Sequence, residues 1–283
     1  MRLANLAGRA VVIVPDDAGG GRAVDVERGS AGRFSSDPQR AFENWAGFSA
    51  WASALDDEGE AFDASQLEAP VPRPRQVFAI GVNYADHAAE AGWAPDTMPV
   101  VFTKFPSCIV GPHAVVPLPE GHVDWEVELV VVIGKEARRV APADAWKHVA
   151  GLTIGQDLSE RVEQMAGQRP QFSLAKSHEG FGPTGPWLVT PDELDDKDDL
   201  AIGCALSGQQ VQSSRTSKMV YSVPVLIERL SGVCTLFPGD LIFAGTPEGV
   251  GNRMSPPRFI GPDDVLTSTI EGIGTMEQRF TSA

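Results

Sequence analysis

Three carboxylates stand at alternate positions just before a long apolar run of the chain. Asp124, Glu126 and Glu128 open the stretch 123–134, which is apolar from residue 129 to residue 133. Alternate residues of a strand share a face, so Glu126 and Glu128 are predicted to point the same way, with Asp124 a further candidate. The strand leads into a run that must be buried, and adjacent buried carboxylates repel unless they share a cation. The pattern predicts a site for Mg²⁺ or Mn²⁺, with Ca²⁺ as a third candidate.

A solvated strand face at the edge of a sheet would explain the same segment equally well, but two further features favour the metal site. Residues 151–157 form a second apolar strand candidate that ends in a carboxylate, Asp157, a source for a third ligand. Lys176 lies in a partly apolar stretch between Phe172 and Phe181. A lysine beside carboxylates can offset their charge or hold a substrate anion, whereas the alternative for Lys176 is a surface salt bridge.

His87 has a carboxylate at helical spacing, because Glu90 follows it by three residues on a predicted short helix. A carboxylate on one imidazole nitrogen fixes the tautomer and makes the other nitrogen a better base, so the pair predicts proton transfer. The alternative is an ion pair on a helix surface. The other histidines have no such partner, but His178 stays a candidate because it follows Lys176 by two residues.

Several common enzyme signatures are absent from the sequence. It contains no phosphate-binding loop ending in Gly-Lys-Ser/Thr, no His-Glu-x-x-His and no Gly-x-Ser-x-Gly. One Gly-x-Gly-x-x-Gly string spans residues 180–185, but it follows no clear strand, and Pro183 and Pro186 prevent a helix from opening there. The string predicts a turn, which disfavours an NAD-dependent α/β enzyme.

Short strands outnumber helices along the chain and show no regular βαβ alternation, which predicts a mixed α+β fold built on curved sheets. The stiff segment 70–74 contains three prolines and is predicted to separate an N-terminal unit, residues 1–72, from a larger one, residues 73–283. The helical candidates are residues 41–55, 86–91, 142–149, 158–166 and 220–230. The strand candidates are residues 9–14, 76–80, 100–104, 125–134, 151–157, 183–190, 201–207, 241–244, 264–270 and 274–280.

The 283 residues carry a formal charge of −15, from 23 Lys and Arg against 38 Asp and Glu. So acidic a surface repels phosphate backbones and anionic lipid, which predicts neither nucleic acid nor a membrane as a partner. No apolar run reaches the ~18 residues of a membrane-spanning helix. The N-terminus lacks the features of a secretion signal, and three cysteines without close pairing favour reduced thiols in the cytoplasm.

In order along the chain, these pieces resemble the fumarylacetoacetate hydrolase family over roughly residues 76–280. The matching stretches are Gly81-Val82-Asn83-Tyr84-Ala85-Asp86-His87, Val101-Phe102-Thr103-Lys104-Phe105-Pro106-Ser107, Asp124-Trp125-Glu126-Val127-Glu128, Gln156-Asp157-Leu158-Ser159-Glu160-Arg161, Leu174-Ala175-Lys176-Ser177, Gly182-Pro183-Thr184-Gly185-Pro186-Trp187 and Phe243-Ala244-Gly245-Thr246-Pro247-Glu248-Gly249-Val250-Gly251. Each stretch alone is a weak signal, but seven in register are a strong one. The N-terminal 70 residues look like the small variable domain of the family.

The resemblance implies a mixed β-sandwich roll with a small N-terminal α/β domain, usually a homodimer, which binds Mg²⁺ or Mn²⁺. The metal ligands of the family correspond to Glu126, Glu128 and Asp157. Its His–Glu pair corresponds to His87 and Glu90, and its active-site lysine to Lys176. The resemblance implies Lys104 and Thr246 at the substrate, and Tyr84, Gln156 and His178 are further predicted substrate-binding residues.

The chain departs from the family pattern near the implied pocket. Residues 177–181 read Ser-His-Glu-Gly-Phe where many members have an aromatic–Asp pair, and residues 171–173 replace a stretch that contains tryptophan in many members. An unusual substrate is therefore expected.

The substrates that the resemblance implies are small anionic 2-oxo acids and β-diketo acids. The first prediction is metal-dependent hydrolysis of a C–C bond in an acylpyruvate- or fumarylpyruvate-like substrate, with His87, oriented by Glu90, as the base that activates water. The same site would serve decarboxylation of a β-keto acid or tautomerisation of a hydroxy-diene diacid, because one water position decides among these reactions. The alternative of another class is a non-catalytic ligand-binding relative.

Overall fold

The structure is a computed structural model that describes residues 1–15, 21–87 and 99–282. Its strands are β1 (Arg2–Leu6), β2 (Arg9–Val14), β3 (Arg22–Asp25), β4 (Leu67–Glu68), β5 (Val77–Gly81), β6 (Val100–Thr103), β7 (Ile109–Val110), β8 (Val115–Leu118), β9 (Val123–Asp124), β10 (Val127–Ile133), β11 (Val149–Gln156), β12 (Ser159–Glu160), β13 (Gly182–Val189), β14 (Ala201–Leu206), β15 (Gln209–Arg215), β16 (Leu241–Phe243), β17 (Val265–Ile270) and β18 (Gly274–Ser282). The α-helices are α1 (Val26–Gly29), α2 (Trp45–Ala52), α3 (Arg161–Gln164) and α4 (Val223–Val233). The 3₁₀ helices are Pro38–Asn44, Ala64–Gln66, Pro106–Cys108, Pro142–His148, Pro191–Glu193, Thr216–Lys218 and Gly251–Arg253.

Two mixed sheets contain most of the described strands, which confirms the predicted α+β class. The larger sheet has eleven strands, with the main order β3-β2-β1-β13-β11-β10-β16-β5-β6, and β4 and β7 pair with β1 and β13. The smaller sheet has the order β15-β14-β17-β18-β8, and β9 pairs separately with β12. The Gly-x-Gly-x-x-Gly string opens no helix, as predicted, but the turn predicted over residues 180–185 is wrong for residues 182–185, which belong to strand β13.

Strand β10 lies at the centre of the larger sheet, between β11 and β16, and every one of its residues is buried. Leu129 and Val131 pack into the core that also contains side chains of β14, β17 and α4. Val130 and Val132 point the other way, into a second core with side chains of α2. The apolar run is therefore buried on both faces, as its composition predicts.

The N-terminal residues are joined to the rest of the fold by backbone hydrogen bonds. Strand β1 pairs with β13, with Arg2 opposite Val189, so β1, β2 and β3 extend the larger sheet. Within residues 70–74, Val71 is buried in the core that contains α2. The boundary at residue 72 stays a prediction.

Three predicted helices have different extents in the structure. The helix predicted over residues 41–55 is divided between a 3₁₀ helix, Pro38–Asn44, and helix α2. The helix predicted over residues 142–149 is the 3₁₀ helix Pro142–His148. Short segments that begin with proline can close with the tighter i to i+3 hydrogen bonds. The segment 158–166 begins as strand β12, because Ser159 pairs with Asp124, and α3 begins only after Glu160 caps it. Of the helix predicted at 86–91, residues 85–87 are helical and residues 88–91 lie outside the described residues.

The thiols of Cys108 and Cys204 are free and buried, and that of Cys234 is free and half-buried. None of the helices in the described part of the chain has the length and apolar character needed to cross a bilayer.

Phe48 of helix α2 is fully buried in a core shared with strands of the larger sheet, and it packs edge-on against Phe34 at 5.5 Å between ring centroids. Replacing Phe48 with alanine removes this contact and leaves a cavity, so we expect the free energy of unfolding to fall by about 3–5 kcal/mol. Urea denaturation of the variant checks this value. The matched control is Val233→Ala, at a position that is 75% exposed, which should change stability by less than about 0.5 kcal/mol. Equal effects of the two substitutions would contradict the assigned packing.

Candidate active site

Glu126, Glu128 and Asp157 come together in one buried cluster. Each offers a carboxylate oxygen, and these oxygens all lie within 4.8 Å of one another. The pairing of β10 with β11 creates the cluster, because Val127 lies opposite Gln156 and the backbone N–H of Asp157 donates to the carbonyl of Glu126 at 2.9 Å. The solvated strand edge that the sequence left open is wrong, because all three side chains are buried.

Asp124 is buried but lies outside this cluster. Its carboxylate accepts from Arg161 Nε at 2.6 Å and from the backbone N–H of Asn252 at 2.7 Å. Asp124 therefore fixes two segments around the cluster and is not a member of it. The sequence pattern offered it as a further candidate on the ligand face, but β9 ends at Asp124 and the strict alternation ends with it.

Two buried lysines neutralise part of the carboxylate charge. Lys176 Nζ lies 2.8 Å from Glu126 Oε2 and 2.7 Å from Asp157 Oδ2, so it bridges two of the three carboxylates. Lys104 Nζ lies 2.6 Å from Asp157 Oδ1 and also donates to the backbone carbonyl of Lys176. Lys104 is fully buried and lies behind Asp157, away from the cavity described below.

Arg161 belongs to the site, although sequence reasoning gave it no role. Its Nε contacts Asp124, its Nη2 lies 2.6 Å from Glu126 Oε1, and its Nη1 donates to Gln164 Oε1 at 2.8 Å. The arginine sits at the start of α3, which the side chain of Glu160 caps. The available signal was its position four residues after Asp157, within a stretch that matches the family.

The charges of the site are unequal: four carboxylates (Asp124, Glu126, Glu128 and Asp157) face three cations (Lys104, Lys176 and Arg161). Burial raises the pKa of Glu126, but Lys176 and Arg161 outweigh it and lower this pKa to about 2. Burial lowers the pKa of Lys176, but Asp157 and Glu126 outweigh it and hold this pKa above its ordinary value. Both groups are therefore charged at neutral pH.

Among the residues that the structure describes, Glu128 is the carboxylate of the site that has no cationic partner. Burial, together with the charges of Asp157 and Glu126, raises its pKa well above the ordinary value, and within the same residues its carboxylate accepts one hydrogen bond, from the backbone N–H of Gly245 at 2.8 Å. A divalent cation among the three carboxylates would supply the missing positive charge, and oxygen ligands suit Mg²⁺, Mn²⁺ or Ca²⁺. The residues present therefore fit a hard divalent metal.

His87 is buried and lines the same cavity as Glu126 and Lys176. The cavity has a volume of about 140 Å³. Phe102 and Phe172, whose rings meet edge to face at 5.4 Å, form part of its apolar wall. Glu90, the predicted partner of His87, lies outside the described residues.

Three residues predicted at the substrate, Gln156, Thr246 and Tyr84, are not among the described residues that line the cavity. Gln156 Oε1 accepts from the backbone N–H of Glu126 at 2.9 Å, and Thr246 Oγ1 donates to the carbonyl of Val127 at 2.9 Å. Tyr84 is buried, and its hydroxyl has no hydrogen-bond partner among the described residues. Burial, and then the charge of Glu128, raise the pKa of Tyr84, which keeps its hydroxyl protonated.

Gln212 of the smaller sheet, which sequence reasoning missed, contacts both Val127 and Thr246. Its Oε1 accepts from the backbone N–H of Val127 at 3.0 Å, and its Nε2 donates to Thr246 Oγ1 at 2.9 Å. Nothing local in the sequence of β15 signals this role, because the contacts depend on how the two sheets face each other.

His178 lies beside α3. Its Nε2 is 2.7 Å from Glu163 Oε2, and its ring is 4.9 Å from that of Phe181. This pair connects the segment after Lys176 to the helix that carries Arg161. His178 is not among the described residues that line the cavity.

Residues 76–281 match the family model described as fumarylacetoacetate (FAA) hydrolase C-terminal. The chain belongs to this family. It is 44% identical over 210 residues to the mitochondrial oxaloacetate tautomerase FAHD2A of Bos taurus, which covers 74% of this chain and 67% of the relative.

Two solved structures of the fumarylacetoacetate hydrolase family extend the comparison. A protein of Mycobacterium smegmatis provisionally named HpcE is 50% identical, with a TM-score of 0.93 and 100% of both chains covered. The maleylpyruvate hydrolase of Sphingobium sp. SYK-6, in complex with manganese(II) ion and pyruvate, is 29% identical, with a TM-score of 0.81 and 100% of both chains covered. The family therefore contains a tautomerase and a hydrolase among the relatives of this chain.

Replacing Glu128 with glutamine should separate metal binding from folding. The raised pKa of Glu128 means that ionisation of this buried group costs stability at neutral pH, so the neutral amide should leave the melting temperature in EDTA unchanged or higher. Mn²⁺ at about 100 times its dissociation constant should stabilise the wild type by about 2.7 kcal/mol and the variant by much less. Differential scanning calorimetry with Mn²⁺ and with EDTA measures both effects.

Glu120 is exposed, so the control variant Glu120→Gln should keep the full response to Mn²⁺. An unchanged response in Glu128→Gln would contradict the assignment of this residue as a metal ligand.

Proposed function

We propose that the chain catalyses keto–enol tautomerisation of a small 2-oxo acid of the oxaloacetate type, with a divalent metal held by Glu126, Glu128 and Asp157. The observation that carries the proposal is that Glu126 of this acidic cluster, Lys176 and His87 line one cavity. The 44% identity to an oxaloacetate tautomerase supports this reaction over the others that the sequence left open.

Lys176 and Arg161 would hold an anionic substrate in place. Both line the cavity, and both are charged, so they offset the carboxylates that would otherwise repel a 2-oxo acid. When bound, the metal would act as a Lewis acid on the 2-oxo and carboxylate oxygens of the substrate. Together with Lys104 and a bound divalent ion, these cations would outnumber the four carboxylate charges of the site, in a protein whose net charge is −15.

His87 would move the proton. In the keto form of oxaloacetate, the methylene carbon C3 carries the proton that must leave, and the oxygen on C2 receives one in the enol. We assign His87 to accept the proton from C3 and to return a proton to the oxygen. The surrounding side chains Phe102 and Phe172 would restrict water, which protects the enolate from other reactions.

Hydrolysis of a C–C bond, the reaction that the sequence alone favours, is the second candidate. It is favoured by the match to a maleylpyruvate hydrolase whose structure contains manganese and pyruvate. In that reaction His87 would take the proton from a water molecule instead of from carbon, and the water would attack the distal carbonyl. The same residues and the same metal, Mg²⁺ or Mn²⁺, serve both candidates.

Replacing His87 with asparagine should lower the rate of oxaloacetate enol–keto exchange by about 10²–10⁴-fold, because the variant lacks the proton-transfer group. Loss of enol absorbance in the presence of Mn²⁺ gives the rate, and release of pyruvate from an acylpyruvate tests hydrolysis on the same samples. The Mn²⁺-dependent rise in melting temperature should be retained. A variant with wild-type kcat on both substrates would show that His87 is not the base, and His113→Asn serves as the control histidine.

The homodimer remains a proposal that rests on the family resemblance. Sedimentation velocity of the purified chain at micromolar concentration should give a species of twice the 30.2 kDa chain mass. A monomer at that concentration would contradict it. The cytoplasmic location remains a proposal from the cysteines and the charge.

A further inference from the structure

Among the described residues, three cationic side chains line the cavity, and two of them are also paired with carboxylates of the site. Lys176 bridges Glu126 and Asp157, and Arg161 bridges Asp124 and Glu126. The third is Arg253, which is exposed. Within residues 1–15, 21–87 and 99–282 its guanidinium forms no ion pair, so its charge is available to a ligand.

Hydrogen bonds hold the backbone at Arg253 next to Asp124. The N–H of Arg253 donates to the carbonyl of Val250 at 3.0 Å, and the N–H of the preceding residue, Asn252, donates to Asp124 at 2.7 Å. Gly251 packs so closely that an added Cβ would lie 2.9 Å from the ring of Trp125. The position of Arg253 relative to Asp124 and Arg161 is therefore set by the same contacts that hold Glu126.

The lining of the cavity combines side chains of different chemistry. Glu126 and Lys176 belong to the cluster at which the metal and the 2-oxo acid group would sit, whereas Asn252 and Arg253 are contributed by the 3₁₀ helix Gly251–Arg253. The lining also has apolar side chains, Phe102 and Phe172 among others, which suit a methylene group and do not satisfy a charge. A substrate with a methylene group and a second carboxylate would contact both the apolar side chains and the guanidinium of Arg253.

We propose that Arg253 is a specificity-determining residue, which binds the distal carboxylate of a 2-oxo dicarboxylate whose 2-oxo acid end lies at the acidic cluster. This inference rests on the proposed function and names its substrate class as a diacid. A guanidinium matches a carboxylate with two parallel N–H···O hydrogen bonds, and a ligand with a methyl group in that place would gain none of them.

The test compares two ligands that differ only at the distal position. Oxaloacetate has a carboxylate where 2-oxobutanoate has a methyl group, and the rest of the two molecules is the same. With Mn²⁺ present, isothermal titration calorimetry should show the wild type binding freshly prepared oxaloacetate about 10- to 100-fold more tightly than 2-oxobutanoate. Arg253→Gln should abolish most of this difference by weakening oxaloacetate alone, and Arg253→Lys should retain part of it.

Arg40→Gln is the matched control, because Arg40 is an exposed arginine whose ion pair to Glu43 spans 3.9 Å. It should leave both affinities at wild-type values. Equal weakening of both ligands by Arg253→Gln, or no weakening of either, would overturn the role of Arg253 while leaving the proposed function intact. If the wild type binds neither 2-oxo acid although Mn²⁺ raises its melting temperature, the proposed function fails, and the role of Arg253 fails with it.

Discussion

The repulsion among three buried carboxylates is the constraint around which the rest of the site is arranged. Glu126, Glu128 and Asp157 lie where β10 begins and β11 ends, in a part of the sheet that excludes water. Burying charge is costly unless each group has a partner, and removing a single partner leaves an uncompensated ion. The long side chains of Lys104, Lys176 and Arg161 therefore converge on this point from three separate segments, although none of these segments adjoins another along the chain.

The part of the site that follows from local pattern could be predicted from the sequence. Alternation placed Glu126 and Glu128 together, and the apolar composition of two strands indicated that both lead into a buried sheet. The carboxylate at the end of the second strand, Asp157, followed from the same argument. These residues are close in space because β10 and β11 pair as neighbours in the sheet, although residues 134–148 separate the two strands along the chain.

The residues that were missed depend on contacts between distant parts of the chain. Arg161 gains its role because β12 pairs with β9, which brings it to Asp124. Gln212 gains its role because β15 of the smaller sheet faces the start of β10. Likewise the sequence identifies Lys104 as a lysine of interest but cannot show that it lies behind Asp157. Helix extents were least predictable where proline begins a segment or where a residue such as Glu160 caps it.

The packing of strand β10 limits how the N-terminal residues of the chain can vary. Glu128 is followed on its own face of the strand by Val130 and Val132, and those side chains pack with the core that contains α2. Side chains of the N-terminal residues thus pack against the strand that carries Glu128, a proposed metal ligand. A chimera that exchanged residues 1–72 for those of another family member would keep every site residue, yet it would shift Glu128 unless the new segment matched the volume of that valine face.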